Sequence, residues 1–215
     1  MIPTDDALIL LSQDSYSASP AGEVYDVGPD RLVVTRLPGV IVLAIRGTAN
    51  LAGWWLDFRI SQKTIRAHPK LGPLEAGFAA GADAIYGIAA PLVAASPGCL
   101  IVIVGHSRGA IIAPILAALF AADGVRVTWC CCIEKPWGNG AVMRALLDQA
   151  GVRGVEWWHG DDPVPLVPAE LGFVMANFPI KHFGRWTLDP FDSHLMGGIV
   201  ADLHEVAALQ GVPVA

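Results

Sequence analysis

The segment Cys99-Leu-Ile-Val-Ile-Val-Gly-His-Ser-Arg-Gly-Ala-Ile-Ile-Ala-Pro-Ile-Leu-Ala-Ala-Leu-Phe120 passes from one apolar run to another through a single polar corner. Leu100 to Val104 is apolar at every position, so both of its faces must be covered, as in a buried strand of a parallel sheet. The run after the corner has the length and composition of a helix. The corner itself, Gly105-His106-Ser107-Arg108-Gly109, is Gly-x-Ser-x-Gly in the setting that gives the pattern meaning: strand, tight turn, helix. Glycines on either side let strand and helix approach closely and lift the Ser107 hydroxyl to the tip of the turn, above a helix N-terminus. Ser107 is therefore the candidate nucleophile; the competing reading is a glycine-rich strand-to-helix turn of another α/β fold.

Working outward, Thr4 is placed to cap a helix whose first turn holds Asp5 and Asp6. Residues 17–30, with Pro20, Gly22, Gly28 and Pro29, read as loop, and Leu32–Arg36 and Val40–Ile45 as a hairpin about Pro38-Gly39. A long helix is expected from Leu74 to Ala95, stopped by Ser96-Pro97-Gly98. Beyond the corner come a strand over Val125–Ile133, a loop over Glu134–Gly140, a helix over Ala141–Gln149 and a strand over Gly154–Trp158. Phe173–Leu188 reads as a small hairpin around Pro179, and Ser193–Leu209 as one last helix. Alternating strands and helices predict a mostly parallel central sheet with helices on both faces. No repeat or long linker divides the chain, so residues 1–215 are expected to form one domain.

The 215 residues are 53% hydrophobic and only 16% charged. The most suspect membrane segment, Gly109 to Ala122, is too short for a bilayer and contains Pro114, so no transmembrane segment is expected. A net charge of −6, without a Lys/Arg cluster, argues against nucleic acid and anionic membrane as main partners. Cys130-Cys131-Cys132 alternate across a strand, so they do not form a metal cage. They read instead as small buried hydrophobes kept reduced. The start Met1-Ile2-Pro3-Thr4-Asp5-Asp6 lacks a basic segment followed by an apolar one, so no signal peptide is read and a cytoplasmic location is expected.

A serine hydroxyl needs a base, and the base an acid to hold its tautomer. In an elbow of this kind the order along the chain is Ser, acid, His. Asp161 and Asp162 follow the Gly154–Trp158 strand, and His194 opens the last helix. By position alone either aspartate fits, and His106, His159, His182 and His204 are further histidines with structural readings. The adjacent Trp54 and Trp55, just after the hairpin's second strand, read equally as core packing or as a substrate-facing flap.

Taken together these residues resemble the class 3 (fungal triacylglycerol-type) lipases of the α/β-hydrolase superfamily, from about Leu43 to Leu195. The family's Arg-Gly-Ser/Thr strand end stands here as Arg46-Gly47-Thr48, its following Trp and Asp as Trp54 and Asp57, and its Gly-Phe helix start as Gly77-Phe78. Its Gly-His-Ser-Leu-Gly-Gly elbow is Gly105 to Ala110, with Arg108 for the leucine and Ala110 for the second glycine. Its Asp-x-Val-Pro-x-x-Pro is Asp162 to Pro168, and its final His-Leu is His194-Leu195. The family's His before Gly-Phe is absent, Glu75-Ala76 standing there.

The resemblance implies an α/β-hydrolase fold and a carboxylic-ester hydrolase with Ser107, Asp162 and His194 as triad. It selects Asp162 over Asp161. It implies an oxyanion hole of Thr48 and the Arg108 amide, a lid after Thr48 that makes Trp54 and Trp55 substrate-binding candidates, and an ester or lipid substrate met at most transiently at a lipid surface. No metal or cofactor is required. Thioesterase, polyester hydrolase and acyltransferase activities use the same triad, and a silent hydrophobic-ligand module is the non-enzymatic alternative. Arg108 is expected to bring a charge beside the nucleophile.

Overall fold

The computed structural model describes residues 1–48, 65–136, 141–166, 177–184 and 190–209. Its elements in order are α1 (Asp5–Asp14), β1 (Glu23–Val27), β2 (Asp30–Leu37), β3 (Val40–Arg46), β4 (Ile65–His68), β5 (Gly72–Glu75), α2 (Ala76–Ala94), β6 (Leu100–His106), α3 (Arg108–Ala122), β7 (Trp129–Ile133), α4 (Ala141–Gln149), β8 (Arg153–His159), β9 (Ile180–Phe183), α5 (Pro190–His194) and α6 (Met196–Leu209). The large sheet has the order β1-β2-β3-β6-β7-β8-β9. β1, β2 and β3 run antiparallel, and from β3 to β9 every pairing is parallel.

Period-two alternation divides the core between the two faces. Ile41, Leu43 and Ile45 of β3, Ile101 and Ile103 of β6, and Cys130 and Cys132 of β7 pack with α2, α3 and α4. Val40, Val42 and Ala44, Val102 and Val104, and Cys131 pack on the other face with Leu8 and Ile9 of α1 and Ile199, Val200 and Leu203 of α6. Helix α3 is buried along nearly its whole length, which is why it is apolar all round rather than striped. Helix α2 is long and apolar enough to cross a membrane by length and composition, yet Phe78, Ala82, Ile85 and Ala89 sit in the core.

Several expectations change: the helix expected from Leu74 begins at Ala76, Gly72–Glu75 being a strand paired with β4, and the strand expected over Val125–Ile133 begins at Trp129. Residues 17–30 are not all loop: Glu23–Val27 is an edge strand, mostly exposed, closed onto β2 by a turn through Gly28 at φ 57°. Its polar residues mark a strand with one wet face and a free edge. The region around Pro179 contributes one strand, Ile180–Phe183, parallel to β8. Residues 173–176 and 185–188 of that expected hairpin lie outside the described residues. The final helix is broken at Leu195, because the Ser193 and His194 carbonyls accept hydrogen bonds from the His159 and His106 rings, not from the next helical turn.

Candidate active site

The site is assembled along the carboxyl ends of β3, β6, β7 and β8. At the end of β6, Ser107 is held at φ 54°, ψ −122°, a left-handed conformation that costs about 1–3 kcal/mol for a residue with a side chain. The corner is fixed by close approach. A Cβ on Gly105 would lie 2.2 Å from the Gly109 carbonyl oxygen, and one on Gly109 2.1 Å from the Ile45 carbonyl oxygen. The Ser107 N–H donates to the Ile133 carbonyl at 2.9 Å. Although Ser107 occupies the N-cap of α3, its hydroxyl does not cap the helix; Oγ is buried and without a hydrogen-bond partner.

Beyond β8, Asp162 is fully buried. Its Oδ2 lies 2.5 Å from His194 Nδ1, and its Oδ1 accepts the Val164 N–H at 2.9 Å. Asp161 accepts instead from the Ser193 hydroxyl at 2.7 Å. The neighbouring aspartates thus face different partners, Asp162 the His194 ring and Asp161 the Ser193 hydroxyl. With the Nδ1 proton shared with Asp162, Nε2 is the bare nitrogen of His194, and it too is buried without a partner. Ser107 Oγ and His194 Nε2 are not hydrogen-bonded to one another here; such contacts commonly tighten only when substrate is bound. Thr48 Oγ1 is a third buried, unpartnered polar atom. Thr48 and His194 line a cavity of about 310 Å³ together with Tyr16, His106, Leu195 and Met196.

Arg108, first residue of α3, offers a backbone N–H with no intrahelical partner. Its side chain does not charge the site. The guanidinium turns away to Asp30, with Nε–Oδ1 at 2.7 Å and Nη2–Oδ2 at 3.1 Å, and also donates to the Gly77 carbonyl at 3.0 Å. It lies over the Phe78 ring. The buried Asp30 accounts for the arginine where the family has leucine. Glu75 caps α2 by accepting the Phe78 N–H at 2.8 Å. Trp54 and Trp55 lie outside the described residues.

Two contributors escape sequence reasoning. Tyr16, just past α1, accepts the Gly47 N–H at 2.9 Å and donates its hydroxyl proton to His106 Nδ1 at 2.6 Å. His106 Nε2–H then donates to the His194 carbonyl at 2.9 Å, so this chain of bonds fixes the His106 tautomer. Burial, and after it the neighbouring His194, push the His106 pKa down to about 3, so the ring is neutral. A Cβ on Gly47 would meet the Tyr16 hydroxyl at 2.4 Å and the Ser107 Cβ at 3.0 Å, which is why this position is glycine. No sequence pattern links a tyrosine 31 residues upstream to Gly47.

The second is Glu134, at the carboxyl end of β7 between the strands that carry Ser107 and lead to Asp162. It is fully buried, has φ 53°, and accepts the His159 N–H through Oε1. Its signal was a lone acid ending an apolar strand. Burial first, and then the adjacent Asp162 carboxylate, raise its pKa well above the ordinary value. For Asp162 burial acts upward, but hydrogen bonding from Glu134 and His194 outweighs it and the net direction is down. Glu134, Asp162 and His194 have potential ligand atoms within 4.8 Å of one another. The 2.5 Å between Asp162 and His194 leaves room for a proton and none for an ion.

With this geometry in place, the sequence profile of the family described as Lipase (class 3) matches residues 42–172. The chain belongs to the class 3 lipase family. A secreted mono- and diacylglycerol lipase of Fusarium solani is 30% identical over 131 residues, which are 60% of this chain and 39% of that protein. The crystal structure of a lipase from Rhizopus microsporus var. chinensis superposes with a TM-score of 0.69 over 86% of this chain and 75% of that one, at 16% identity. The Rhizomucor miehei triacylglyceride lipase gives 0.65 over 84% and 78%, also at 16% identity. At such identities the structural likeness is one of fold, and the fold is that of the α/β-hydrolases. The cytoplasmic location expected from the sequence is overturned by this comparison, the Fusarium relative being a secreted protein. Cys130, Cys131 and Cys132 are fully buried, as small hydrophobes of a core strand are. Burial raises the pKa of Cys130 and Cys131 well above that of a free thiol, which keeps them out of the reactive thiolate form.

Proposed function

We propose that this class 3 lipase hydrolyses carboxylic esters of hydrophobic acids through an acyl-enzyme on Ser107. The observations that support the reading are the buried Asp162–His194 pair, whose Nε2 has no partner, and the buried, unpartnered Ser107 hydroxyl on its strained elbow.

His194 Nε2 takes the Ser107 proton as Oγ attacks the ester carbonyl. Asp162 holds the Nδ1 proton in place and offsets the imidazolium charge. The oxyanion is received by the Arg108 N–H and the Thr48 hydroxyl, each worth about 3 kcal/mol of barrier if it behaves as such donors usually do. His194 then returns the proton to the leaving alkoxide. Water, deprotonated by the same nitrogen, attacks the acyl group, and the proton passes back to Ser107. The cavity beside Thr48, walled by Leu195 and Met196, supports an apolar acyl chain, and the partial-glyceride activity in the Fusarium relative's name supports acylglycerols as the ester class.

A fluorophosphonate probe is expected to label wild type at Ser107 and to leave Ser107→Ala unlabelled. The alanine variant is also expected to lose nearly all turnover of p-nitrophenyl butyrate and monoacylglycerol while keeping the wild-type circular dichroism spectrum. Absence of labelling in folded wild type, or faster turnover of an acyl-CoA thioester than of any ester, overturns the reading.

A further inference from the structure

Among the described residues other than glycine, only two have positive φ: Ser107 and Glu134, at the carboxyl ends of the neighbouring strands β6 and β7. The first is explained by the elbow. The second places a fully buried carboxyl within 4.8 Å of the fully buried Asp162 and His194, on the strand between the one that leads to Ser107 and the one that leads to Asp162. Backbone that adopts so unfavourable a conformation to deliver one particular side chain points to a use for that side chain.

The polar groups around it are already committed. The Ser107 N–H goes to Ile133, the Glu134 N–H to the Trp157 carbonyl at 2.9 Å, and the His159 N–H to Glu134 Oε1. The ionisable groups facing Glu134 are Asp162, from the loop after β8, and beyond it His194 from α5. The His159 ring, on β8, is turned to the Ser193 carbonyl and Asp202. Lys135, next along the chain, is directed to Glu156 at 3.5 Å. Among the described residues, no cation therefore stands between the two carboxyls to neutralise them. Two carboxylates this close in a dry interior do not both ionise; one keeps a proton. Asp162 faces His194 and holds the negative charge, so the proton belongs on Glu134, whose Oε2 has no other partner.

We propose that Glu134 is a positioning residue: a neutral carboxylic acid that directs its proton to Asp162 and so holds Asp162 as a single, oriented carboxylate behind His194. It touches neither substrate nor the reacting atoms. Its effect passes through Asp162, keeping one negative charge, and not two, behind the imidazolium that forms during turnover. The inference rests on the serine-hydrolase reading above.

The test uses Glu134→Gln and Glu134→Gly, with kcat normalised to active sites titrated by the fluorophosphonate. Glutamine keeps both the acceptor for His159 and a donor for Asp162. Glycine accepts the positive φ without strain and removes the group. The expected result is a fall in kcat of about tenfold or more in E134G, with KM little changed, and recovery of most of that loss in E134Q. The acid limb of kcat/KM in E134Q should coincide with wild type, since a neutral group has replaced a neutral group. Were Glu134 ionised, E134Q would remove a negative charge near His194 and move that limb down by about one pH unit.

Independently of activity, the infrared difference between wild type and E134Q at neutral pH should contain a protonated-carboxyl stretch. A lowered acid limb, a missing carboxyl band, or wild-type kcat in E134G overturns the proposal. If E134G does not fold, the E134Q limb and band decide alone. Failure of wild type to label with the probe removes the enzymatic reading instead, and leaves the infrared result standing as a statement about the two carboxyls.

Discussion

Replacing Asp162 by asparagine tests the site most directly, because each oxygen of this carboxylate has its own donor. Oδ1 accepts the Val164 N–H at 2.9 Å and Oδ2 meets His194 Nδ1 at 2.5 Å, both in a fully buried setting. Asparagine has one acceptor oxygen. If that oxygen serves Val164, the amide N–H₂ faces Nδ1, and His194 must carry its proton on Nε2, where it can no longer accept one from Ser107. If the amide flips to keep the productive tautomer, its N–H₂ meets the Val164 N–H and a buried donor is stranded at a cost of about 1–3 kcal/mol. In either orientation the imidazolium loses its counter-charge. Together these effects predict a fall in kcat of about 10³–10⁴, or about 4–5 kcal/mol of barrier. Asp161→Asn, which keeps an amide oxygen able to accept the Ser193 hydroxyl and leaves the Asp162–His194 pair intact, should change kcat by less than about threefold. The assay is p-nitrophenyl butyrate turnover on titrated active sites, with thermal unfolding recorded for both variants. Loss of less than a factor of about ten in D162N, or equal losses in D162N and D161N, refutes the assignment of roles.

His106 supplies a pH-dependent contribution to stability. Its pKa is about 3 when folded, against the ordinary histidine value of 6.5, so below pH 6.5 the unfolded chain takes up a proton that the folded chain refuses. Stability is therefore lost as pH falls from 6.5 toward 3, by about 2 kcal/mol between pH 6.5 and 5 from this residue alone. Urea unfolding of His106→Asn should show that part of the slope removed; an unchanged slope would mean the ring is protonated in the fold. Arg108→Leu, which restores the family's usual residue, leaves Asp30 buried without its cation and should destabilise the protein by about 3 kcal/mol while changing kcat by less than about threefold. The double variant with Asp30→Asn should recover most of the stability, and a large kcat loss in Arg108→Leu would show that the side chain does reach the substrate.

The sequence carried the elbow plainly, because Gly105, Ser107 and Gly109 answer to local geometry and sit between two unmistakable apolar runs. The parallel core strands were legible for the same reason: residues buried on both faces leave an unbroken hydrophobic signature. Asp162 and His194 were singled out by order and by family pattern, and the structure brings these two side chains into contact. The edge strand Glu23–Val27 was missed because a solvated edge has no such signature. The break at Leu195 could not be foreseen, since the His106 and His159 rings that take the carbonyls before it lie 88 and 34 residues away in the chain. Tyr16 and Glu134 act through contacts that exist only once β3, β6, β7 and β8 stand side by side. The side chain of Arg108 was misjudged for want of Asp30, which lies 78 residues away.

Helix α3 presses against β3 so closely at Gly109 that not even a methyl group fits between them. The elbow and the strand ending at Arg46, just before Gly47-Thr48, are thereby held at one fixed spacing, which cannot be widened by exchanging side chains at their junction without moving backbone. Any substitution that enlarges residue 109 must therefore move two corners of the site at once, whereas the walls of the cavity beside Thr48 can be altered one side chain at a time.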